Sequence, residues 1–326
     1  MSGRALVTGI AGQDGSYLAE RLVADGWEVH GTVREQPGPE PVAGAVLHRC
    51  DAADAEGLAR LVRELRPDRV FSLAGISSVA ASWQDPVGTA LVNGVAVVAL
   101  LTELQRQRER GGDPVLVHAA SAEIFGRAPA PQDETTPIAP VNPYGAAKAL
   151  AVHSVRAWRA GGLRASNAIL FNHESPRRPE RFVSRKITLA AARIALGRQQ
   201  TLRLGNLDAA RDFGWAPDYA DAMLRMGEHP RGGDWVVATG ESRTVRELVR
   251  AAFRAAGVED WESRVRIDPA LFRPVEAFEQ RGDASLARAE LGWAPTAAFE
   301  QIVARMVAHD LELERAGGAT GRDGEG

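Results

Sequence analysis

Tyr144 and Lys148 lie four residues apart in the run Asn142-Pro143-Tyr144-Gly145-Ala146-Ala147-Lys148. On a helix this spacing places a phenol and an ammonium on one face. A neighbouring positive charge favours tyrosinate, so the phenol can act as a base near neutral pH. By itself the pair equally fits two solvated surface residues. Ser121 and Glu123 stand just upstream, in Ala119-Ala120-Ser121-Ala122-Glu123-Ile124-Phe125-Gly126. A serine hydroxyl can hold a reacting hydroxyl group, and a carboxyl two residues on can take up and return a proton. The competing reading of Glu123 is a loop glutamate facing water, as most glutamates do.

For these side chains to meet, residue 121 must end one element and residue 144 must begin another. Residues 4–8, 27–33, 45–50, 69–74, 114–121 and 164–171 read as short apolar strands. Helices are expected at about 16–25, 55–66, 89–108 and 142–158, the second stopped by Pro67. Strand and helix alternating in this way imply right-handed crossovers and a parallel, doubly wound sheet. Ser121 then falls at the C-terminal end of the fifth strand. After Phe171 the pattern changes to polar, arginine-rich loops over residues 174–186. Helices follow at about 187–196, 244–256, 285–291 and 299–314, with one more sheet strand at 234–238. The expected fold is α/β, with a Rossmann-type domain over 1–171 and 212–240. A smaller, discontinuous α/β substrate domain is expected over 172–211 and 241–315. The glycine-rich, charged residues 316–326 are expected to be a disordered tail.

Between the first strand and helix stands Thr8-Gly9-Ile10-Ala11-Gly12-Gln13-Asp14-Gly15. Glycines at 9, 12 and 15 permit a tight turn, close backbone approach to a pyrophosphate, and tight helix–strand packing. The helix N-terminus supplies the anion site. A dinucleotide is therefore expected here, and Lys148 beside a bound, positively charged nicotinamide would stabilise the Tyr144 phenolate. With Thr8 ahead of the first glycine, the spacing resembles the short-chain dehydrogenase superfamily. NAD-selective members often end the second strand with an acidic residue for the ribose diol. This strand ends His30-Gly31-Thr32-Val33-Arg34, and Arg34 could hold a 2'-phosphate instead. NADP is favoured, with NAD as the alternative. A solvated surface arginine beside Glu35 is the other reading of Arg34.

Longer stretches resemble the GDP-mannose 4,6-dehydratase family of extended short-chain dehydrogenases. They include residues 5–20, which carry the glycine loop, and Ile169-Leu170-Phe171-Asn172-His173-Glu174-Ser175-Pro176-Arg177-Arg178. Leu204-Gly205-Asn206-Leu207-Asp208-Ala209-Ala210-Arg211-Asp212-Phe213-Gly214 is another, as are Phe182-Val183-Ser184-Arg185-Lys186-Ile187 and Ala238-Thr239-Gly240-Glu241-Ser242. The resemblance implies that Ser121, Glu123 and Tyr144 are catalytic, with Lys148 supporting Tyr144. It implies cofactor contacts at Gly9, Gly12, Gln13, Asp14, Gly15, Arg34, Asp51 and Ala52. Leu73, Ala74, Gly75, Ser77, Tyr144, Lys148, His173 and Arg178 complete that set. Asn172, Val183, Lys186, Arg211 and Arg273 are expected to bind the nucleotide sugar, together with Ser121; no metal is expected.

The implied reaction oxidises C4 of the sugar, eliminates water across C5–C6 through Glu123, and returns hydride to C6. Three segments depart from the family pattern and leave the sugar open. Arg34-Glu35-Gln36-Pro37 replaces a pair of arginines followed by serines, and the loop to Val46 is shorter. Gly75-Ile76-Ser77-Ser78 replaces a Gln-Ser-His sequence, and Gly88 occupies a tyrosine position.

Composition narrows the partners. The 326 residues are 45% hydrophobic and 25% charged with a net charge of -3, so no field selects nucleic acid or an anionic membrane. Phosphate would need local cations, and arginine supplies bidentate ones. The single cysteine, Cys50, excludes an internal disulfide. Apolar runs such as 95–101 read as too short for a bilayer, and Met1 leads almost directly into a strand, so a cytoplasmic protein is expected. A homo-oligomer, dimer or tetramer, is expected with a nucleotide-sugar substrate. The rivals are a 4-epimerase or 4-reductase on the same scaffold, a dehydratase for another nucleotide sugar, and a non-enzymatic dinucleotide sensor.

Overall fold

Alternation of apolar residues along the N-terminal strands decides the architecture. In the computed structural model, which describes residues 3–35, 43–272 and 279–319, the chain begins with β1 (Arg4–Thr8) and α1 (Gln13–Ala24). Next come β2 (Glu28–Val33), β3 (Ala45–Arg49), α2 (Ala55–Leu65), β4 (Arg69–Ser72), α3 (Val79–Gln84) and α4 (Pro86–Ala90). A π-helical turn, Leu91–Val95, runs directly into α5 (Ala96–Glu109). β5 (Val115–Ala119), a 3₁₀ turn (Ala122–Phe125), α6 (Pro143–Ala160) and β6 (Arg164–Leu170) follow. Strands β1 to β6 and the later β10 (Asp234–Val237) form one seven-stranded parallel sheet, ordered β10-β6-β5-β4-β1-β2-β3. The doubly wound sheet expected from the sequence is present.

Leu6, Val70, Leu116 and Ala165 are registered neighbours on β1, β4, β5 and β6, all fully buried. They pack in one core cluster with Leu58 and Val62 of α2, Leu100 and Leu104 of α5, and Val155 of α6. One residue on, Val7, Phe71 and Val117 point the other way, into the cluster shared with Leu18 and Leu22 of α1. That cluster also contains Met223 and Met226 of α8 (Ala216–Glu228), a helix the sequence reading did not assign. A polar row crosses the sheet two residues beyond the first apolar row. It comprises His48, Thr32, Thr8, Ser72, His118, Asn167 and Asp234, one from each strand.

The remaining elements build a second layer. β7 (Asn172–Glu174), β9 (Ala210–Trp215), β11 (Ser242–Thr244) and β13 (Glu279–Gln280) form a small mixed sheet centred on β9. β8 (Leu202–Leu204) pairs with β12 (Val265–Ile267). Around them lie α7 (Val183–Ala195), α9 (Val245–Ala255), α10 (Trp261–Arg264) and α12 (Phe299–Ala319), whereas α11 (Ser285–Leu291) packs on β10 and α8 of the first layer. Ile187, Ile194, Phe213, Val249, Phe253, Val303 and Val307 make the core of this layer. The domain boundary expected between 211 and 212 falls inside β9.

Three expectations are corrected. Helix α1 starts at Gln13 rather than 16, so Gly15 lies in its first turn. Helix α12 runs to Ala319, where a disordered tail was expected from 316; its anchored turns propagate the helix beyond its last packed residue. The apolar run near residue 95 is part of a continuous helical stretch, Pro86–Glu109. By length and composition alone that stretch could cross a membrane, but half of its apolar window is buried in the fold.

Inside the second layer, Arg185 of α7 forms a buried ion pair with Asp310 of α12. Removing one partner of such a pair leaves a buried, uncompensated charge. Asp310→Ala is expected to destabilise the protein by about 3–5 kcal/mol. Urea unfolding monitored by tryptophan fluorescence measures this, and a loss within experimental error would show that the pair bears no weight.

Candidate active site

The strand order reverses between β1 and β4, the position where α/β sheets open a crevice at their C-terminal ends. Thr8 fastens this point: its Oγ1 accepts hydrogen bonds from the Leu73 N–H (3.0 Å) and the Ala74 N–H (3.1 Å). Thr32 Oγ1 accepts from the Gly9 N–H at 3.1 Å. Gly9 has φ +69°, and a Cβ there would stand 2.9 Å from the Ala74 Cα. A Cβ on Gly15 would stand 2.5 Å from the Gly9 carbonyl oxygen. Gly12, the N-cap of α1, supplies no side chain to the first-turn N–H groups. The loop therefore fits a pyrophosphate: its backbone is bare, and it faces the positive end of a helix dipole.

The other expected cofactor positions surround this crevice. Leu73, Ala74 and Gly75 follow β4 directly, with Ser77 exposed beyond them. Asp51 and Ala52 follow β3, and Asp51 accepts from the Ala53 N–H at 2.9 Å. Arg34 stands exposed just after β2, beside Glu35. Gln13 is buried and committed within the protein. Its Nε2 donates to the His173 carbonyl (3.1 Å) and its Oε1 accepts from Ser175 Oγ (2.9 Å). Asp14 meets His173 Nε2 at 3.0 Å, while His173 Nδ1 bonds the Phe171 carbonyl at 2.7 Å. Both ring nitrogens are thus held by oxygens, which fixes the orientation of the ring. Burial works to raise the Asp14 carboxyl, but His173, Gln13 and Arg178 outweigh it and hold it below its ordinary range. The His173 ring stacks on Tyr219 with centroids 4.4 Å apart. Arg178 pairs with Glu174 at 3.3 Å and lies 3.9 Å over the Phe182 ring.

The four expected catalytic residues are brought together. Ser121 caps the 3₁₀ turn, its Oγ accepting from the Glu123 N–H at 3.3 Å, and it also hydrogen-bonds Tyr144. The Tyr144 backbone N–H donates to Ser82 Oγ of α3 at 3.2 Å, pinning the start of α6. Burial pushes the Tyr144 phenol up to about 12; Ser121 and Arg178 lower it, whereas Glu123 and Asp14 raise it. Burial pushes Lys148 down to about 8, opposed by Asp14. The Lys148 ammonium donates to the Ala119 carbonyl at 2.6 Å. In this state the lysine is therefore engaged with the end of β5, and the phenol stays protonated.

Three side chains join the site that the sequence reading did not single out. Asn142 Nδ2 donates to Glu123 Oε2 at 2.8 Å, while its Oδ1 accepts from the Gly145 N–H and caps α6. Gln280 Nε2 faces the other oxygen, Glu123 Oε1, at 3.4 Å. Asn93, in the π-helical turn, bonds both the N–H (2.8 Å) and the carbonyl (2.9 Å) of Ile76. Only the Asn-Pro pair opening α6 gave a sequence signal, as a cap. On the opposite side, Asn172 and Arg211 lie on the paired strands β7 and β9. Val183 and Lys186 lie in the first turn of α7, and Lys186 lines a cavity of about 270 Å³ with Leu202 and Arg203. Arg273 lies outside the described residues. Among the described residues, no cluster of three or more His, Cys, Asp or Glu side chains could hold a metal ion.

The family model described as GDP-mannose 4,6 dehydratase matches residues 6–306. GDP-mannose 4,6 dehydratase 1 of Arabidopsis thaliana is 44% identical, over 95% of this chain and 90% of that protein. Among solved structures, a UDP-glucose 4-epimerase of Thermus thermophilus in complex with NAD is 30% identical with a TM-score of 0.82. It covers 94% of this chain and 98% of its own. RMD of Pseudomonas aeruginosa complexed with NADPH is 26% identical with a TM-score of 0.80, over 96% and 100% of the two chains. A glycine-loop crevice and a Ser–Tyr–Lys set joined by a carboxylate accord with those likenesses, and the chain belongs to the GDP-mannose 4,6 dehydratase family.

Proposed function

We propose that the protein is an NADP-dependent nucleotide-sugar 4,6-dehydratase that converts GDP-D-mannose to its 4-keto-6-deoxy product. The observation that carries this reading is Glu123, held between two amide donors beside the hydrogen-bonded Ser121 and Tyr144. A dehydratase needs a carboxylate at that place, whereas oxidation at C4 alone needs only the serine, tyrosine and lysine. The glycine loop, with Leu73 to Gly75, Asp51 and Ala52, holds the dinucleotide, and Arg34 at the end of β2 takes its 2'-phosphate. When bound, the dinucleotide accepts a hydride from C4 and returns it to C6, so the cycle is redox-neutral.

The chain's own residues move the protons. Ser121 holds the C4 hydroxyl and Tyr144 takes its proton, which leaves a ketone that acidifies the C5–H bond. The Glu123 carboxylate takes the C5 proton as the C5=C6 double bond forms. It delivers that proton to the departing C6 oxygen, which leaves as water, and C5 takes up a replacement proton. Asn172, Lys186 and Arg211 hold the diphosphate, Val183 lines the nucleotide site, and Arg273 belongs to the same set. Arginine's planar fork suits this task in a chain without global positive charge. On this reading the dinucleotide site lies on the seven-stranded sheet, and the sugar contacts Asn172 and Arg211 lie on the small mixed sheet.

The protein acts as a homo-oligomer on this reading. Val87, Leu91 and Val95 are exposed at four-residue intervals, flanked by Trp83 and by Leu150 of α6. Such an apolar stripe fits a second copy of itself.

Incubation with GDP-D-mannose and catalytic NADP+ is expected to yield the alkali-absorbing 4-keto product; no turnover with any nucleotide hexose would sink the assignment. Glu123→Gln stalls after oxidation, losing about 100- to 10,000-fold in product formation while reduced dinucleotide accumulates. Near-normal activity in that variant would favour a 4-epimerase or reductase instead. Leu91→Glu halves the particle mass seen by light scattering, and an unchanged mass would rule out that face. With only three tyrosines in the chain, the Tyr144→Phe difference spectrum isolates Tyr144. It should show a phenol still protonated near pH 10, where exposed tyrosines ionise.

A further inference from the structure

Glu123 is reached from two sides by elements that meet nowhere else in the sequence. Asn142 approaches from the start of α6, and Gln280 approaches from β13, one strand of the small sheet. Gln280 is 3% exposed, and a buried amide costs stability unless its polar atoms find partners. A carboxylate oxygen can only accept, so the group facing it must be the NH₂ of the amide. The 3.4 Å separation is long for this bond, and such contacts commonly tighten once substrate closes the site.

The backbone that carries Gln280 is held on both sides. Its neighbour Glu279 accepts from Ser242 Oγ (2.6 Å) and Arg281 Nε (3.1 Å). The Gln132 N–H donates to the Arg281 carbonyl (2.9 Å), and the Asp283 N–H donates to the Gln132 carbonyl (2.8 Å). Gln132 lies on the segment that follows the 3₁₀ turn bearing Glu123. In register, Gln280 sits directly beside Arg211 on β9. One short strand thus places an amide against the proposed base and next to the proposed phosphate ligand.

We infer that Gln280 is a positioning residue that fixes the Glu123 carboxylate for proton removal at C5 and ties its placement to the strand holding Arg211. The inference rests on the dehydratase reading of Glu123. It calls for a loss in the elimination step with little effect on binding or on oxidation at C4.

Two variants of the full chain test it with GDP-D-mannose and NADP+. Gln280→Leu removes the donor at similar volume, and Gln280→Glu replaces it with an acceptor of nearly the same shape. Both are expected to lower kcat about tenfold or more with KM changed less than threefold, since a hydrogen bond to a charged group is worth about one to two powers of ten. In both, the absorbance of reduced dinucleotide should rise during steady turnover, because oxidation proceeds and elimination lags. If Gln280→Leu does not fold, Gln280→Glu carries the test alone. Wild-type kcat and no extra reduced dinucleotide in a folded variant would overturn the inference. A change confined to KM would overturn it as well, and would make Gln280 a substrate contact. A wild-type protein that dehydrates no nucleotide hexose would instead remove the reading on which it rests.

Discussion

The Asn142 side chain has one acceptor oxygen and one donor nitrogen, and the fold has committed both. The oxygen caps α6 through the Gly145 N–H, and the nitrogen holds Glu123. Because the helix cap fixes which end of the amide is which, the orientation toward Glu123 is set by backbone geometry. Tyr144 is the second residue of that helix and Lys148 lies one turn further on, so their positions follow from the same cap. Tyr144, Lys148 and Glu123 are therefore aligned through one cap. A cap of this kind stabilises a helix by about 1 kcal/mol; here its larger effect is on alignment.

Parts of this unit were legible in the sequence for a simple reason. Tyr144, Lys148, Ser121 and Glu123 sit on, or within two residues of, elements whose apolar runs are long and regular, so their placement follows from period and spacing. The glycine loop was legible because only glycine satisfies its close contacts, as the Gly9–Ala74 and Gly15–Gly9 distances show. The small sheet was not legible. Its strands are two to six residues long and centre on β9, whose side chains 210 to 214 are all buried, so no alternation marks it. Helix α8 was missed because it begins at Ala216-Pro217 straight after a strand, without a polar cap. Gln280 lies on the shortest strand, and its proximity to Glu123 is purely tertiary.

On the proposed reading, a chain with a net charge of -3 must meet phosphates through local charges. The cations that matter are local and braced. Arg178 is held by Glu174 and the Phe182 ring, and Arg211 is buried on β9. His173 is locked against Asp14, which ties the glycine loop to β7. Opposed charges arranged in this way keep their geometry without a large field.

The two central titratable groups are both displaced toward neutrality, Tyr144 upward and Lys148 downward, and burial is the first cause in each case. A site in that condition resists charge until something compensates it. A phenolate at Tyr144 needs a positive neighbour, and the Lys148 ammonium is hydrogen-bonded to the Ala119 carbonyl. A bound oxidised nicotinamide brings positive charge into the same crevice, and that charge favours the phenolate. On the proposed reading, base activation would follow loading of the dinucleotide. Glu123 opposes this charge, since it is among the groups that raise the Tyr144 phenol. Its oxygens are met by amides from two separate elements rather than by a cation, which gives the carboxylate its direction. On the proposed reading, oxidation depends on the dinucleotide, and elimination of water depends on the Glu123 carboxylate held by Asn142 and Gln280.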